Sequence, residues 1–210
     1  MKTYKVHLIR HSLTQANLEA KYIGHTDVPA LEEGLDVIRQ LSEQGLYPKA
    51  QACLTSPLKR CVQTAQAIYP ELKPLEIPDL IEYNFGEFEG RTADELVDNE
   101  SFKEWLRGGE DAKPAYGESN ADFTKRIQTA FCKVVDGLMK TGTTETAIVT
   151  HAGVIMTILA SFGIPELPMS EWTMEGGAGY TVRITPTIWM RGHKFEVIDY
   201  FPSERDVDEE

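Results

Sequence analysis

Basic charge is what this sequence lacks most. Its 21 Lys and Arg stand against 33 Asp and Glu, a formal net charge of −12 at pH 7. Nucleic acids and anionic membranes bind basic faces, so this balance argues against both as partners. Cysteine is scarce as well: Cys53, Cys61 and Cys132 are the only three, an odd number without CxxC spacing. That speaks against a disulfide framework or a thiolate metal site, and it predicts reduced, buried thiols in a cytoplasmic protein. Uninterrupted apolar stretches are also absent. The longest, Ala147 to Ile164, is broken by Thr150, His151, Gly153, Thr157 and Gly163. It predicts a buried strand followed by a buried helix, not a membrane span. The opening MKTYKVHLIRHS has no apolar h-region and no cleavage-like end, so no signal peptide is read. No internal repeat is visible. No G-x-G-x-x-G follows the first strand, which counts against a dinucleotide-binding protein.

The remaining composition, 41% hydrophobic and 26% charged over 210 residues, is ordinary for one globular domain with a full core. Strands are predicted at Lys5–Ile9, Ala52–Thr55, Leu75–Ile77, Thr146–Val149, Tyr180–Ile184 and Phe195–Tyr200. Helical spacing marks Glu32–Gln44, which stops at Gly45. A further helix is predicted after Ser56-Pro57, with Ser56 as its cap, running to about Tyr69 before Pro70. Ser119–Lys140 carries Phe123, Ile127, Ala130, Phe131, Val134 and Leu138 on one side, and Val154–Phe162 reads as a buried helix. Strands alternating with helices predict an α/β fold, a three-layer α/β/α sandwich around a mostly parallel sheet.

Residues 83–118 differ from the rest. They hold ten acidic residues against four basic, Gly108-Gly109, Pro114 and one predicted helix, Thr92–Leu106. This reads as a small cap inserted in a single domain spanning 1–210. Its aromatics Tyr83, Phe88, Phe102, Trp105 and Tyr116 are candidates for a substrate mouth or for the cap's own small core. Trp105, with Phe102 and Leu106 at helical spacing, fits the core. The acidic end, residues 203–210, reads as a flexible tail.

Three strand-to-helix crossings carry the chemistry. The first strand ends in Arg10-His11, the second is followed by Arg60 in the next helix's first turn, and a later one ends in His151-Ala152-Gly153. In open α/β sheets ligands bind beyond the carboxyl ends of the strands, so parallel pairing would bring these points to one rim. Two arginines and two histidines over helix N-termini make an anion site. Taken singly, each is as well explained as a solvated charge or a core histidine; three such features at equivalent places are not. A metal is the natural rival for clustered histidines. Yet His7 and His11, four apart on a strand, would stand about 13 Å apart, too far to share an ion. No metal and no cofactor is read, and His7 is assigned no role.

The same residues resemble the histidine phosphatase superfamily, also called the phosphoglycerate mutase-like family. Arg10-His11-Ser12-Leu13-Thr14-Gln15-Ala16-Asn17 resembles its Arg-His-Gly-x-Thr-x-x-Asn signature. Gly24-His25-Thr26-Asp27 with Gly34, the run Ser56 to Ala65, the run Leu80 to Gly90, Gly117-Glu118-Ser119 and Thr150-His151-Ala152-Gly153 are similar to its later blocks, in order. The resemblance implies His11 as nucleophile and Glu82 as proton donor. Arg10, Arg60 and His151 would hold phosphate oxygens, with Asn17 at the phosphate pocket. Gly34, Gly117 and Glu118 take structural roles. Such chemistry is physically coherent. A neutral imidazole is a competent nucleophile, arginines stabilise the charge of a loose in-line transfer, and a buried carboxyl can protonate the leaving alkoxide.

One position departs from the signature: Ser12 stands where Gly is usual. A positive φ there would make Ser unfavourable; otherwise its hydroxyl could donate to phosphate. Phe-Gly-Glu-Phe-Glu-Gly at 85–90 is similar to α-ribazole phosphatases and to short broad-specificity members of the family. The acidic cap and the lack of paired arginines imply hydrolysis of small-molecule phosphomonoesters. Two alternatives remain open: a cofactor-dependent phosphoglycerate mutase, and a weakly active phosphate-binding or scaffold member.

Overall fold

In the first strand, β1 (Tyr4–Arg10), side chains alternate between two cores. Val6 and Leu8 join one hydrophobic cluster and Ile9 another. The computed structural model describes residues 2–202; the acidic tail expected at 203–210 lies outside them. After β1 come the short α1 (Gln15–Leu18), α2 (Glu32–Glu43), β2 (Ala52–Thr55), α3 (Lys59–Ile68) and β3 (Leu75–Glu76). The cap segment contributes α4 (Ala93–Leu96) and α5 (Glu100–Leu106). Then follow α6 (Asn120–Thr141), β4 (Glu145–Thr150), α7 (Ala152–Phe162), β5 (Gly163–Ile164), β6 (Gly179–Ile184), α8 (Pro186–Gly192) and β7 (Phe195–Phe201).

The seven strands form one sheet in the order β3-β2-β4-β1-β6-β7-β5. Every pairing is parallel except those of β6, which runs against both β1 and β7. On one face Val6, Leu8 and Ile148 pack with Ile127 and Phe131 of α6 and Ile155 and Leu159 of α7. On the other, Ile9, Ala147 and Val149 pack with Leu35 and Ile38 of α2 and Cys61, Ala65 and Ile68 of α3. This is the expected α/β/α sandwich. A third cluster, Phe88, Leu96 and Phe102, lies within the cap segment.

Local chemistry explains the element ends, including two that differ from expectation. Ser119 accepts the amide of Asp122 at 3.0 Å to open α6, and Gly142, at φ 75°, closes it. The helix expected over Thr92–Leu106 is two helices, because Asn99 turns its carboxamide to the amide of Phe102 (3.0 Å) and starts a new one. The helix after Ser56-Pro57 begins only at Lys59, and Ser56 is not its cap. Its first amide is met by Asp27 Oδ1, 2.8 Å from Lys59 N, while the Ser56 hydroxyl lies against His151. The short β5 and α8 were not expected.

His7 is 2% exposed, with Nδ1 3.0 Å from the Thr181 hydroxyl and its ring edge-on to Phe201. Burial lowers its pKa from 6.5 to about 4, against the opposing pull of Glu145 and Asp199 and with the help of Lys5. The folded value lies below the unfolded one, so the stabilisation is complete above pH 6.5 and is lost as pH falls toward 4. Across that window it amounts to on the order of 3 kcal/mol at most. His7→Gln is therefore expected to flatten the fall in melting temperature between pH 6.5 and 4. An unchanged slope would show that other groups carry it.

Candidate active site

Parallel pairing of β2, β4 and β1 aligns their carboxyl ends, and the expected residues meet there. The amide of His11 continues the β1–β4 ladder by donating to Thr150 O at 2.9 Å. His151 follows Thr150 and is the N-cap of α7. Arg60 is the second residue of α3. The rings of His11 and His151 lie 5.3 Å apart, inclined at 66°.

Hydrogen bonds define the state of each imidazole. His11 Nδ1 lies 2.6 Å from Ser12 O; a carbonyl only accepts, so Nδ1 carries the proton and Nε2 keeps its lone pair. Burial, then the charge of Arg60, lowers the pKa of His11 to about 3. The ring is thus neutral and nucleophilic over the physiological range. Arg60 Nη2 stands 3.3 Å from His151 Nδ1, and a guanidinium only donates. The proton of neutral His151 therefore sits on Nε2, 2.8 Å from Ser56 Oγ. Burial pushes His151 well below the usual imidazole range, helped by His11 and Arg60.

The arginines are held by backbone. Arg10 Nη1 donates to Met174 O at 2.9 Å, while its Nε is buried without a protein acceptor. An unmatched buried donor is unfavourable by roughly 1–3 kcal/mol and marks a place for an anion or water. Arg60 donates from Nη1 to Thr26 O (2.9 Å) and from Nη2 to Gly24 O (2.7 Å). That loop is itself organised by Glu89, whose carboxylate accepts the amides of Gly24 and His25 at 2.9 Å and the Thr26 hydroxyl at 2.7 Å.

Glu82 is 8% exposed. Its carboxylate accepts Tyr83 N at 2.9 Å and Gly153 N at 3.0 Å. Burial raises its pKa, against the lowering influence of those two amides and of Arg60 and Arg10. A carboxyl so placed can hold a proton and give it up. Asn17 stands apart in its bonding. As the third residue of α1 it forms a capping box, its Oδ1 3.0 Å from both Thr14 N and Thr14 Oγ1, and it makes no hydrogen bond to the other five. Ser12 is not among the described non-glycine residues of positive φ, so serine strains nothing there. Its Oγ points at α2, where a Cβ on Gly34 would come within 2.6 Å of it.

Beside Arg10, Glu82 and Gly153 opens a cavity of about 660 Å³ with Tyr22, Tyr83, Phe85, Trp105 and Phe123 in its wall. Trp105 therefore serves both readings, packing on the cap cluster and facing the cavity. Phe88 and Phe102 are core, and Tyr116 is 94% exposed. Among the described residues no three His, Cys, Asp or Glu side chains gather as metal ligands, and no helix is long and apolar enough to cross a membrane.

Residues 6–189 match the model of the histidine phosphatase superfamily (branch 1). The chain belongs to that superfamily. An adenosylcobalamin/alpha-ribazole phosphatase of Salmonella typhimurium (strain LT2) is 29% identical over 182 residues, 84% of this chain and 89% of its own length. Phosphoglycerate mutase-like protein 4 of Arabidopsis thaliana is 30% identical over 158 residues, 72% of this chain and 67% of its own. In fold, the crystal structure of the alpha-ribazole phosphatase from Shigella flexneri matches with a TM-score of 0.78 at 24% identity, over 95% of this chain and 96% of that one. As a histidine phosphatase the protein is an enzyme of the phosphatase type.

Sequence reasoning passed over Ser56 and Gly153 as site residues. Gly153 was quoted within a motif, but its reason is spatial: a Cβ there would meet Glu82 Oε1 at 2.5 Å. Gly153→Ala is expected to push the carboxylate aside and lower kcat by roughly 10- to 100-fold, with phosphate inhibition little changed. A variant with wild-type kcat would remove Gly153 from this account.

Proposed function

We propose that the protein hydrolyses small-molecule phosphomonoesters by double displacement through His11. His11 Nε2 attacks phosphorus and the ester oxygen leaves, taking its proton from the Glu82 carboxyl. Glu82, now ionised, removes a proton from water; the resulting oxygen attacks phosphorus, the P–N bond breaks, and neutral His11 returns. Arg10 and Arg60 hold the non-bridging oxygens, where charge gathers in the transition state. His151 is assigned to the same oxygens by its place in the motif, since here its Nε2 proton meets Ser56 and its Nδ1 faces Arg60. Asn17 is assigned to the edge of the same pocket by its place in the motif alone. The observation that carries the proposal is the fixed tautomer of His11, its bare Nε2 kept neutral by burial next to two arginines.

The cavity beside the site supports hydrolysis rather than mutation of a bisphosphate. The cations in its wall are Arg10 and Lys21, and Lys21 is already paired with Glu19 at 2.6 Å. A second anionic group on the substrate therefore meets no free cation there, whereas an uncharged or apolar leaving group meets aromatic rings. Residues 83–118 act in this reading as the substrate-selecting cap. The net charge of −12 favours a small molecule over nucleic acid, and three free cysteines suit a reducing, cytoplasmic setting.

The test is hydrolysis of an aryl phosphate in the presence of chelator, wild type beside His11→Ala. Turnover is expected to survive the chelator and to fall by three orders of magnitude or more, roughly, in the variant. Acid-labile, base-stable phosphate should be trapped on the wild type only. Equal turnover by both proteins would sink the proposal, and primed isomerisation of phosphoglycerate outrunning hydrolysis would replace it with the mutase.

A further inference from the structure

Glu82 lies on irregular chain, between the 3₁₀ turns Pro78–Leu80 and Gly86–Phe88. Backbone of this kind has no ladder of its own to hold a carboxylate in register with a reacting oxygen. One guanidinium supplies what the ladder would. Arg126, projecting from α6, donates from Nη1 to the carbonyls of Asp79 (2.9 Å) and Ile81 (2.8 Å). From Nη2 it reaches the carbonyl of Glu82 at 3.2 Å and Glu118 Oε1 at 2.6 Å, and from Nε it reaches Glu118 Oε2 at 3.2 Å. A guanidinium has five N–H donors, and all five are matched. Three of the five acceptors are backbone carbonyls of the segment ending at Glu82.

Glu118 completes the clamp from the other side. Its Oε1 accepts the amide of Asn84 at 2.8 Å, and its carbonyl accepts the Tyr83 hydroxyl at 2.6 Å. The pair is only 20% and 16% exposed, and its charges offset each other. The charges that act most on the Glu82 carboxylate are those of Arg60 and Arg10. Arg126 bears on Glu82 directly through its bond to the Glu82 carbonyl.

We infer that Arg126, with Glu118 as its counter-ion, is the positioning residue of the proton donor: it sets where the Glu82 carboxyl stands relative to the departing oxygen. This rests on the reading of Glu82 as general acid. A plain structural staple would slow all substrates alike when cut, whereas a positioning residue matters in proportion to the need for a proton. A nitrophenolate leaves unaided; an alkoxide does not.

The experiment compares kcat/KM, which reports the first phosphoryl transfer, for p-nitrophenyl phosphate and for a primary alkyl phosphate. Wild type, Glu82→Gln, Arg126→Gln and Arg126→Lys are measured, each with its inhibition constant for inorganic phosphate. Arg126→Gln is expected to lose roughly 100-fold on the alkyl ester, less than about 5-fold on the nitrophenyl ester, and little phosphate affinity. Arg126→Lys keeps the charge but not the five-donor fork, so it should show the same split, and it answers the question if Arg126→Gln does not fold. Equal losses on both esters, or none, in Arg126 variants while Glu82→Gln shows the split would overturn the inference alone. Absence of the split in Glu82→Gln would overturn the general-acid reading and the inference with it.

Discussion

Everything at this site follows from putting polar side chains where water cannot reach them. Arg60 and His151 are 1% and 0% exposed, and His11 and Glu82 only 6% and 8%. Burial is the largest influence on the proton affinity of each. It strips the histidines of their charge and favours the protonated carboxyl, which is the combination a nucleophile and an acid require. Such burial is tolerable only if every polar atom finds a partner, and the partners are mostly backbone: Ser12 O for His11, Gly24 O and Thr26 O for Arg60, Tyr83 N and Gly153 N for Glu82. At Arg10 Nε the protein does not supply the acceptor itself.

The global charge and the local charge point in opposite directions, and the fold reconciles them. The chain as a whole carries −12, while the rim beyond β1, β2 and β4 carries two arginines with one carboxyl that resists ionisation. The enclosed arginines act on an anion with little screening. Acidic surface thus sets no limit on phosphate chemistry within.

Much of this was legible because strand ends are legible. Arg10-His11, Arg60 and Thr150-His151 stand where an apolar run gives way to a helix, and the parallel order β2-β4-β1 then leaves little freedom in where they meet. Glu82 was legible only through the run of residues around it, since irregular chain has no periodicity to read. Arg126 was not legible: three of its five partners are carbonyl oxygens, which every residue possesses and no sequence marks. The Thr92–Leu106 helix failed for a related reason, as an interior Asn99 does not reveal whether its carboxamide faces water or the amide of Phe102. The phosphate-pocket role of Asn17 rests on the motif, because the bonds it makes are those of a helix start.

Glu89 links two parts of the protein that could otherwise vary independently. It belongs to residues 83–118, yet its carboxylate gathers the amides of the loop whose carbonyls hold Arg60. Under the proposed function, substrate choice and phosphate grip are therefore not separate modules. A cap transplanted from a relative leaves the Arg60 loop intact only if it also brings a carboxylate to this spot; otherwise the exchange disturbs a guanidinium that lies outside the cap.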